Sequence, residues 1–439
     1  MELLPNQLEF LERCSEARKV ALSFKDPLIV HHYDADGITS GAIAQSAFLK
    51  ENKKHRTLPT KKLDDALIDQ LKTEKEIIFV DLGGGNKRVN ELQDVVIIDH
   101  HQTEGVEKLQ ANPLLFGIDG GLELSASGCA SLVFDHHFDL GVVGAVGDMQ
   151  YPLTGMNRYV MHKGVDSGEL EVKNELRMYG RYSRPLIDFL AYSDDPFIPS
   201  LTFNADNCEK FLSDLNIEVK ENEAWRNYSS LSFEEKKLLI SAITKLLIDK
   251  GMRWAASELV GETYILTKRK KQPSTYDAAE FSTVLNACGR HARAEVGIAL
   301  CLEKENSYEA ALELLKKHKL AIREGVSFAK NNLNDLGPFF LLDARGIIED
   351  SIIGIVCGMV SGGKTKPILG AALSESGVKV SSRGTKKLID EGLDLGKAMS
   401  LSSQKVGGVG GGHRIAAGSN IPADSLNQFL DSVGELLRQ

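Results

Sequence analysis

The chain has 439 residues, 42% apolar and 26% charged, ordinary proportions for globular domains and length enough for two or three of them. Its 52 Lys and Arg against 61 Asp and Glu leave a formal charge of −9, which excludes a sequence-blind nucleic-acid coat but not an enzyme that grips nucleic acid locally. No apolar run is long enough to span a membrane, the N-terminus carries no signal pattern and the six cysteines form no CxxC pair, so a reducing cytoplasm without disulfides or thiolate zinc is expected.

In chain order, PLIVHHY (27–33) predicts a buried strand and ITSGAIAQSAFLK (38–50) the helix after it. EIIFVDL (76–82) and DVVIIDH (94–100) predict two more strands. Near-continuous β-branched runs separated by helices point to a doubly wound parallel sheet. Residues 155–195 are irregular and polar, and YSDDPFIPS (192–200) reads as a boundary. Residues 205–255 predict helix, TYILTKRKK (263–271) a short strand, and 276–333 helix again. The last hundred residues read as short, Gly-punctuated strands, SIIGIVCGMV and GVKVSSRG among them, ending in a helix.

The acids fall where such strands end. Asp34 and Asp36 follow the first, Asp81 ends the second, and Asp99, His100 and His101 end the third; Asp148 follows the apolar GVVGAVG. Ligands bind at the carboxyl ends of strands in open parallel sheets, so these residues are expected to converge. So many carboxylates need raised pKa values or bound cations. Imidazole with carboxylate suits Mn²⁺, Mg²⁺ or Zn²⁺, and two metals about 3.5–4 Å apart are a known arrangement for cleaving phosphate esters. A second tripeptide, Asp135-His136-His137, follows a helical segment and reads as a solvated helix end.

HYDADGITSGAI (32–43), VDLG (80–83), IDHH (98–101) and VGD (146–148) resemble the four motifs of the DHH phosphoesterases. GGGHRIAAG (410–418), with SSRG (381–384) before it, resembles the C-terminal DHHA1 substrate module. GRYSRPLIDFLAYSDDPFIP (180–199) and EFSTVLNACGR (280–290) point to the archaeal RecJ-like nucleases, including the type that associates with GINS. The resemblance implies a DHH catalytic domain over 1–195, a mostly helical insertion and linker over 196–335, and a smaller α/β DHHA1 domain over 336–439. It implies that His32 (or else His31) and Asp34 hold one metal, that Asp36, His100 and Asp148 hold the other, and that Asp81 bridges them. His101 would face the scissile phosphate, and Asp99 would fix the His100 tautomer. Two divalent cations would activate water, Mn²⁺ first with Mg²⁺ or Zn²⁺ as alternatives. The implied activity is release of 5′-mononucleotides from single-stranded DNA or RNA in replication or repair, with GINS as partner. Hydrolysis of short oligonucleotides or cyclic dinucleotides, or a non-catalytic replisome scaffold, are the alternatives; a scaffold would be expected to lose ligands that are all present here.

In GGVGGGHR, glycine lets backbone N–H groups approach an anion, so Gly410, Gly411, Gly412, His413 and Arg414, with Arg383 as a bidentate donor, form the expected phosphate-binding set. GMVSGGKT (358–365) matches the P-loop string, but KPILGAALSE after it is not helical, so a turn between strands is expected. KRKK (268–271) reads as solvated surface, Arg181 and Arg184 as phosphate or structural groups, Trp225 and Trp254 as core or partner contacts, and Cys288 as buried.

Overall fold

The first strand-like runs form one five-stranded parallel sheet in the computed structural model, which describes residues 3–193, 196–374 and 377–438. The chain passes through α1 (Pro5–Ser23), β1 (Leu28–His32), α2 (Ala35–Lys50), β2 (Arg56–Thr60), α3 (Asp65–Leu71), β3 (Glu76–Val80), β4 (Asp94–Ile98) and β5 (Leu109–Ala111). The strand order is β2-β1-β3-β4-β5, which puts the topological switch between β1 and β3. Alternate side chains go to opposite faces. Ile29, Ile78, Val80, Val96 and Ile98 join the core under α1 and α2, whereas Val30, Ile77, Phe79, Val95 and Ile97 pack with Ile68 and Leu71 of α3. Both faces are covered, as the unbroken apolar runs predict.

Next come α4 (Ala126–Phe134), α5 (Phe138–Gly147) and α6 (Gly155–Asp166), and α4 and α5 both lie against α2. The GVVGAVG run is therefore helix, and Asp148 is its C-cap. The stretch expected to be irregular holds α6, β6 (Leu170–Leu176) and α7 (Leu186–Ala191). Only the two ends of β6 are buried, so it carries no period-2 signal. Asp194 and Asp195, in the segment read as a boundary, lie outside the described residues.

After these come α8 (Ala205–Asp214), the hairpin β7 (Lys220–Glu221) and β8 (Ala224–Trp225), α9 (Phe233–Asp249), α10 (Arg253–Ser257) and β9 (Val260–Leu266), the last antiparallel to β6. This segment has its own core, including Phe189, Leu212, Tyr228, Leu239, Ile243 and Leu247. The helices α11 (Ala278–Arg290) and α12 (Ala294–Cys301) rejoin the first core, followed by α13 (Ser307–Asn331).

The chain divides into two units, Met1–Leu315 and Lys316–Gln439. The second contains β10 (Asn334–Asp335), β11 (Phe340–Asp343), α14 (Ile353–Ser361), β12 (Ile368–Ser374), β13 (Gly377–Arg383), α15 (Lys386–Asp390), α16 (Leu395–Lys405), β14 (Val409–Gly412), β15 (Ala416–Ile421) and α17 (Leu426–Leu436). Its strands form a mixed sheet in the order β10-β11-β12-β13-β15-β14. SIIGIVCGMV, read as a strand, lies mostly in α14: Ile353, Val356 and Cys357 recur at helical spacing and are buried. GMVSGGKT thus leads from helix into strand, the reverse of a P-loop.

Among the described residues no helix is long and apolar enough to cross a membrane.

Candidate metal centre

Four segments of the first unit bring ligand atoms together. After β1 the chain turns into α2, whose N-cap is Asp34; its Oδ1 accepts from the Gly37 N–H at 3.1 Å. Asp34 Oδ2 lies 2.8 Å from His32 Nδ1. After β3, Asp81 adopts φ 63, a left-handed conformation that Asp tolerates better than most residues, and its N–H donates to the Ile98 carbonyl. Its two carboxylate oxygens face different imidazoles: Oδ2 is 3.3 Å from His32 Nδ1, and Oδ1 is 3.3 Å from His100 Nε2. His100 Nε2 also lies 3.8 Å from Asp36 Oδ2 and 3.4 Å from Asp148 Oδ2.

Asp36 is buried in the first turn of α2, and the N-terminus of α4 holds it: Oδ2 accepts from Ala126 N–H at 2.8 Å and Oδ1 from Ser127 N–H at 2.9 Å. A Cβ on Gly144 of α5 would come within 2.3 Å of Asp36 Oδ1, so only glycine lets α5 pass at this point.

The structure brings all six proposed ligands, His32, Asp34, Asp36, Asp81, His100 and Asp148, into one cluster, arranged as His32–Asp34–Asp81, Asp81–His100–His101 and Asp36–His100–Asp148. His31 stands apart, with Nδ1 2.7 Å from the His32 carbonyl and its ring under Gly41 of α2. His32 Nδ1, Asp81 Oδ1 and His100 Nε2 are buried, and their short contacts lack hydrogen-bond geometry. Nitrogen and carboxylate donors with atoms left open in this way fit hard or borderline divalent cations.

The charges are strained in the same sense. Burial and then the Asp81 charge push Asp36 up to about 6, and burial with the Asp36 and Asp81 charges pushes Asp148 up to about 8. Burial works against His32, but the Asp34 and Asp81 carboxylates overcome it and hold the imidazole up to about 11. Burial would also raise Asp81, yet His100 and His32 keep it well below the usual carboxylate range. One acid between two imidazoles thus stays ionised while Asp36 and Asp148 resist ionisation.

The expected role of Asp99 is corrected. Its Oδ1 accepts from His101 Nδ1 at 2.9 Å and from the His100 and His101 backbone N–H groups, while Oδ2 accepts from Gly84 N–H. It therefore orients His101, not the His100 ring. Gly120 holds His100 instead, its carbonyl 2.6 Å from Nδ1. Gln150 Nε2 donates to the same carbonyl at 2.9 Å, and Asn157 Nδ2 donates to Gln150 Oε1 at 2.7 Å. Sequence reasoning missed Gly120, Gln150 and Asn157; the DGG run (119–121) was the only available hint.

The second tripeptide serves packing. His137 Nε2 meets Ser46 Oγ at 2.8 Å and His136 Nε2 meets the Ile43 carbonyl at 3.1 Å, at the far end of α2 from the cluster. Both rings are half-buried rather than solvated. Arg181 is buried in an ion pair with Asp277 and donates to the Leu176 carbonyl at 2.9 Å, so it is structural. Arg184 stacks on Tyr179 and donates to the Tyr192 carbonyl. Within KRKK, Arg269 is buried, with Nε 2.5 Å from Asp139 Oδ2. Trp225 and Trp254 are exposed rather than core, and Cys288 is buried.

In the second unit, Arg383 pairs with Ala416 and Gly412 with Ala417, and His413 N–H donates to the Ala416 carbonyl, so Arg383, Gly412 and His413 meet at one end of the sheet. The Arg383 guanidinium lies against Gly354 of α14. Gly410 is needed for packing, because a Cβ there would come within 2.3 Å of Ser403 Oγ in α16, whereas Gly411 faces open space. His413 and Arg414 are exposed, and Arg414 reaches the Ile389 carbonyl at 3.3 Å.

Comparison with known proteins gives a consistent order of domains. Residues 27–140 match the DHH family, N-terminal domain, 178–260 the DHH-CID domain and 337–439 the DHHA1 domain. An uncharacterized protein of Methanocaldococcus jannaschii is 29% identical over 467 aligned positions, covering 97% of this chain and 98% of that one. Among solved structures, RecJ of Thermus thermophilus in complex with Mn²⁺ aligns with TM-score 0.59 and 16% identity over 100% of this chain, which spans 55% of that protein. CDC45 of Entamoeba histolytica aligns with TM-score 0.61 and 13% identity, covering 98% of this chain and 99% of the other. At these identities the likeness is one of fold.

Proposed function

We propose that this chain, which carries DHH, DHH-CID and DHHA1 domains, is a RecJ-like hydrolase that uses two divalent cations to release 5′-mononucleotides from an end of single-stranded DNA or RNA, in replication or repair. The observation that carries this reading is the joined cluster of acids and imidazoles, in which one carboxylate lies between His32 and His100. His32 and Asp34 would hold one cation, Asp36, His100 and Asp148 the other, and Asp81 both. When bound, the cations supply Lewis-acid activation of water and neutralise charge on the phosphate. Mn²⁺ is the first candidate, since a solved RecJ carries it.

The remaining groups position and protonate. Asp36 keeps its place because two α4 N–H groups fix both oxygens. His101 is the exposed member of the cluster, and its Nδ1 is committed to Asp99. Its Nε2 is then left for the scissile phosphate. The Asp99 hydrogen bond raises the His101 pKa, favouring an imidazolium that offsets phosphate charge and can give a proton to the leaving oxygen. Arg383, Gly410, Gly411, Gly412, His413 and Arg414 would hold the terminal phosphate. GINS is the protein partner of this reading.

The test is Mn²⁺-dependent digestion of single-stranded DNA and RNA 30-mers labelled at either end, with Asp36→Ala and His100→Ala alongside. Stepwise mononucleotide release, lost in both variants, supports the reading; no release by a metal-loaded wild type overturns it. The CDC45-like fold is compatible with a replisome scaffold, and failure to bind Mn²⁺ would favour that reading.

A further inference from the structure

A cavity of about 270 Å³ is lined by Met149, Tyr151, Arg177, Trp254 and Glu258, among others. Met149 directly follows Asp148 and is 75% exposed, and Trp254 on α10 is 56% exposed. In the same lining, the Arg177 guanidinium lies 4.7 Å from the centre of the Tyr151 ring and 3.2 Å from Glu258 Oε2. Arg177 has room to lie there because residue 261 is glycine; a Cβ would come within 2.7 Å of Arg177 Cδ. The lining thus combines a cation stacked on an aromatic ring and anchored by a carboxylate with a thioether and an indole.

The volume falls just under the roughly 300 Å³ at which sites for drug-sized molecules begin, which suits one planar heterocycle. Aromatic faces and guanidinium planes recognise unstacked bases irrespective of sequence. We propose that this cavity takes a nucleobase of the substrate strand flanking the scissile phosphate, stacked on Trp254. The assignment rests on the nuclease reading above and adds a base subsite to it. A stack at this point would hold the strand in register with the metal cluster through a contact blind to sequence.

Trp225→Phe leaves Trp254 as the sole tryptophan, since the chain has two. That protein, in EDTA, is titrated with a dT 12-mer and with an abasic strand of equal length while indole fluorescence is followed. Saturable quenching by dT and not by the abasic strand is expected. In Mn²⁺, Trp254→Leu is expected to raise KM for the dT strand about 10-fold, with kcat changed much less. Equal quenching by both strands, or none, overturns the subsite, and an exposed Trp254 is then a protein contact. If the Trp225→Phe protein is quenched by dT but wild type cleaves nothing, the nuclease reading fails and the subsite stands. Cleavage without quenching gives the converse.

Discussion

His100 directs Nδ1 at the Gly120 carbonyl across 2.6 Å, and since that oxygen can only accept, Nε2 is kept for the space between Asp36, Asp81 and Asp148. Gln150 shares the carbonyl and is itself held by Asn157. Gln150→Leu is expected to weaken Mn²⁺ binding by about 10–100-fold, the usual cost of removing a group that orients a ligand. Calorimetric titration with Mn²⁺ measures it, and unchanged affinity would show that Gly120 alone orients the ring.

Asp99 supports His101 by the 2.9 Å contact and does not touch the His100 ring. Asp99→Asn should therefore lower kcat on the order of 100-fold, while Mn²⁺ affinity moves only a few-fold. Single-turnover cleavage and metal titration on the same protein separate the two effects. A large loss of metal affinity would return Asp99 to the role first expected of it.

Five carboxylates and three imidazoles gathered at one sheet edge should make the fold respond to divalent cations. At Mn²⁺ about 100-fold above Kd, stabilisation of about 2.7 kcal/mol is expected. Asp81→Asn, which weakens both halves of the cluster, should remove most of the Mn²⁺-induced rise in Tm. A variant whose Tm still rises as much as wild type would remove Asp81 from the bridging position.

Arg181 and Asp277 form a buried pair, and Asp277 also caps α11. Arg181→Ala strands a buried carboxylate and should cost about 3–5 kcal/mol in urea denaturation. At a temperature where the variant is folded, KM for a single strand should stay within about two-fold, because the guanidinium is spent on Asp277 and the Leu176 carbonyl. A KM change beyond that would restore a phosphate-binding role.

Glu280 is buried at the start of α11 and accepts the Tyr182 and Ser183 N–H groups. Burial and then the Asp277 charge push it up to about 7 from an ordinary value of 4.5. Between those pH values the unfolded chain releases a proton that the folded chain keeps, so stability falls as pH rises through that window, by up to about 3 kcal/mol. Glu280→Gln should flatten that slope whatever it does to absolute stability. Denaturation at pH 4.5 and pH 7.5 compares the two, and an unchanged slope locates the titration elsewhere.

The doubly wound sheet was legible because its strands are buried on both faces and read as unbroken β-branched runs. The convergence of Asp34, Asp81 and His100 was legible because it follows from strand ends alone. Asp148 escaped that logic: GVVGAVG is small and apolar enough for a strand, and it folds as a helix because its glycines allow close packing on α2 and α4. The exposed face of Trp254 and the burial of Arg269 could not be read, since each depends on partners distant in sequence, such as Asp139 for Arg269. The Asp99 role was misplaced by one residue because a carboxylate after a strand can turn toward either following ring.

His31 and His32 are neighbours on β1 and go to opposite sides of the sheet, one under α2 with its pKa held down to about 4 chiefly by burial, the other among the acids. A slip of a single residue in this strand would exchange them, sending a neutral, packed ring to the cluster and the charged one into the core. Strand pairing and chemistry are thus a single constraint at this edge. A misregistered molecule would lose its packing and its cluster of acids and imidazoles together, so any process that removes unstable molecules would also remove those with a scrambled cluster.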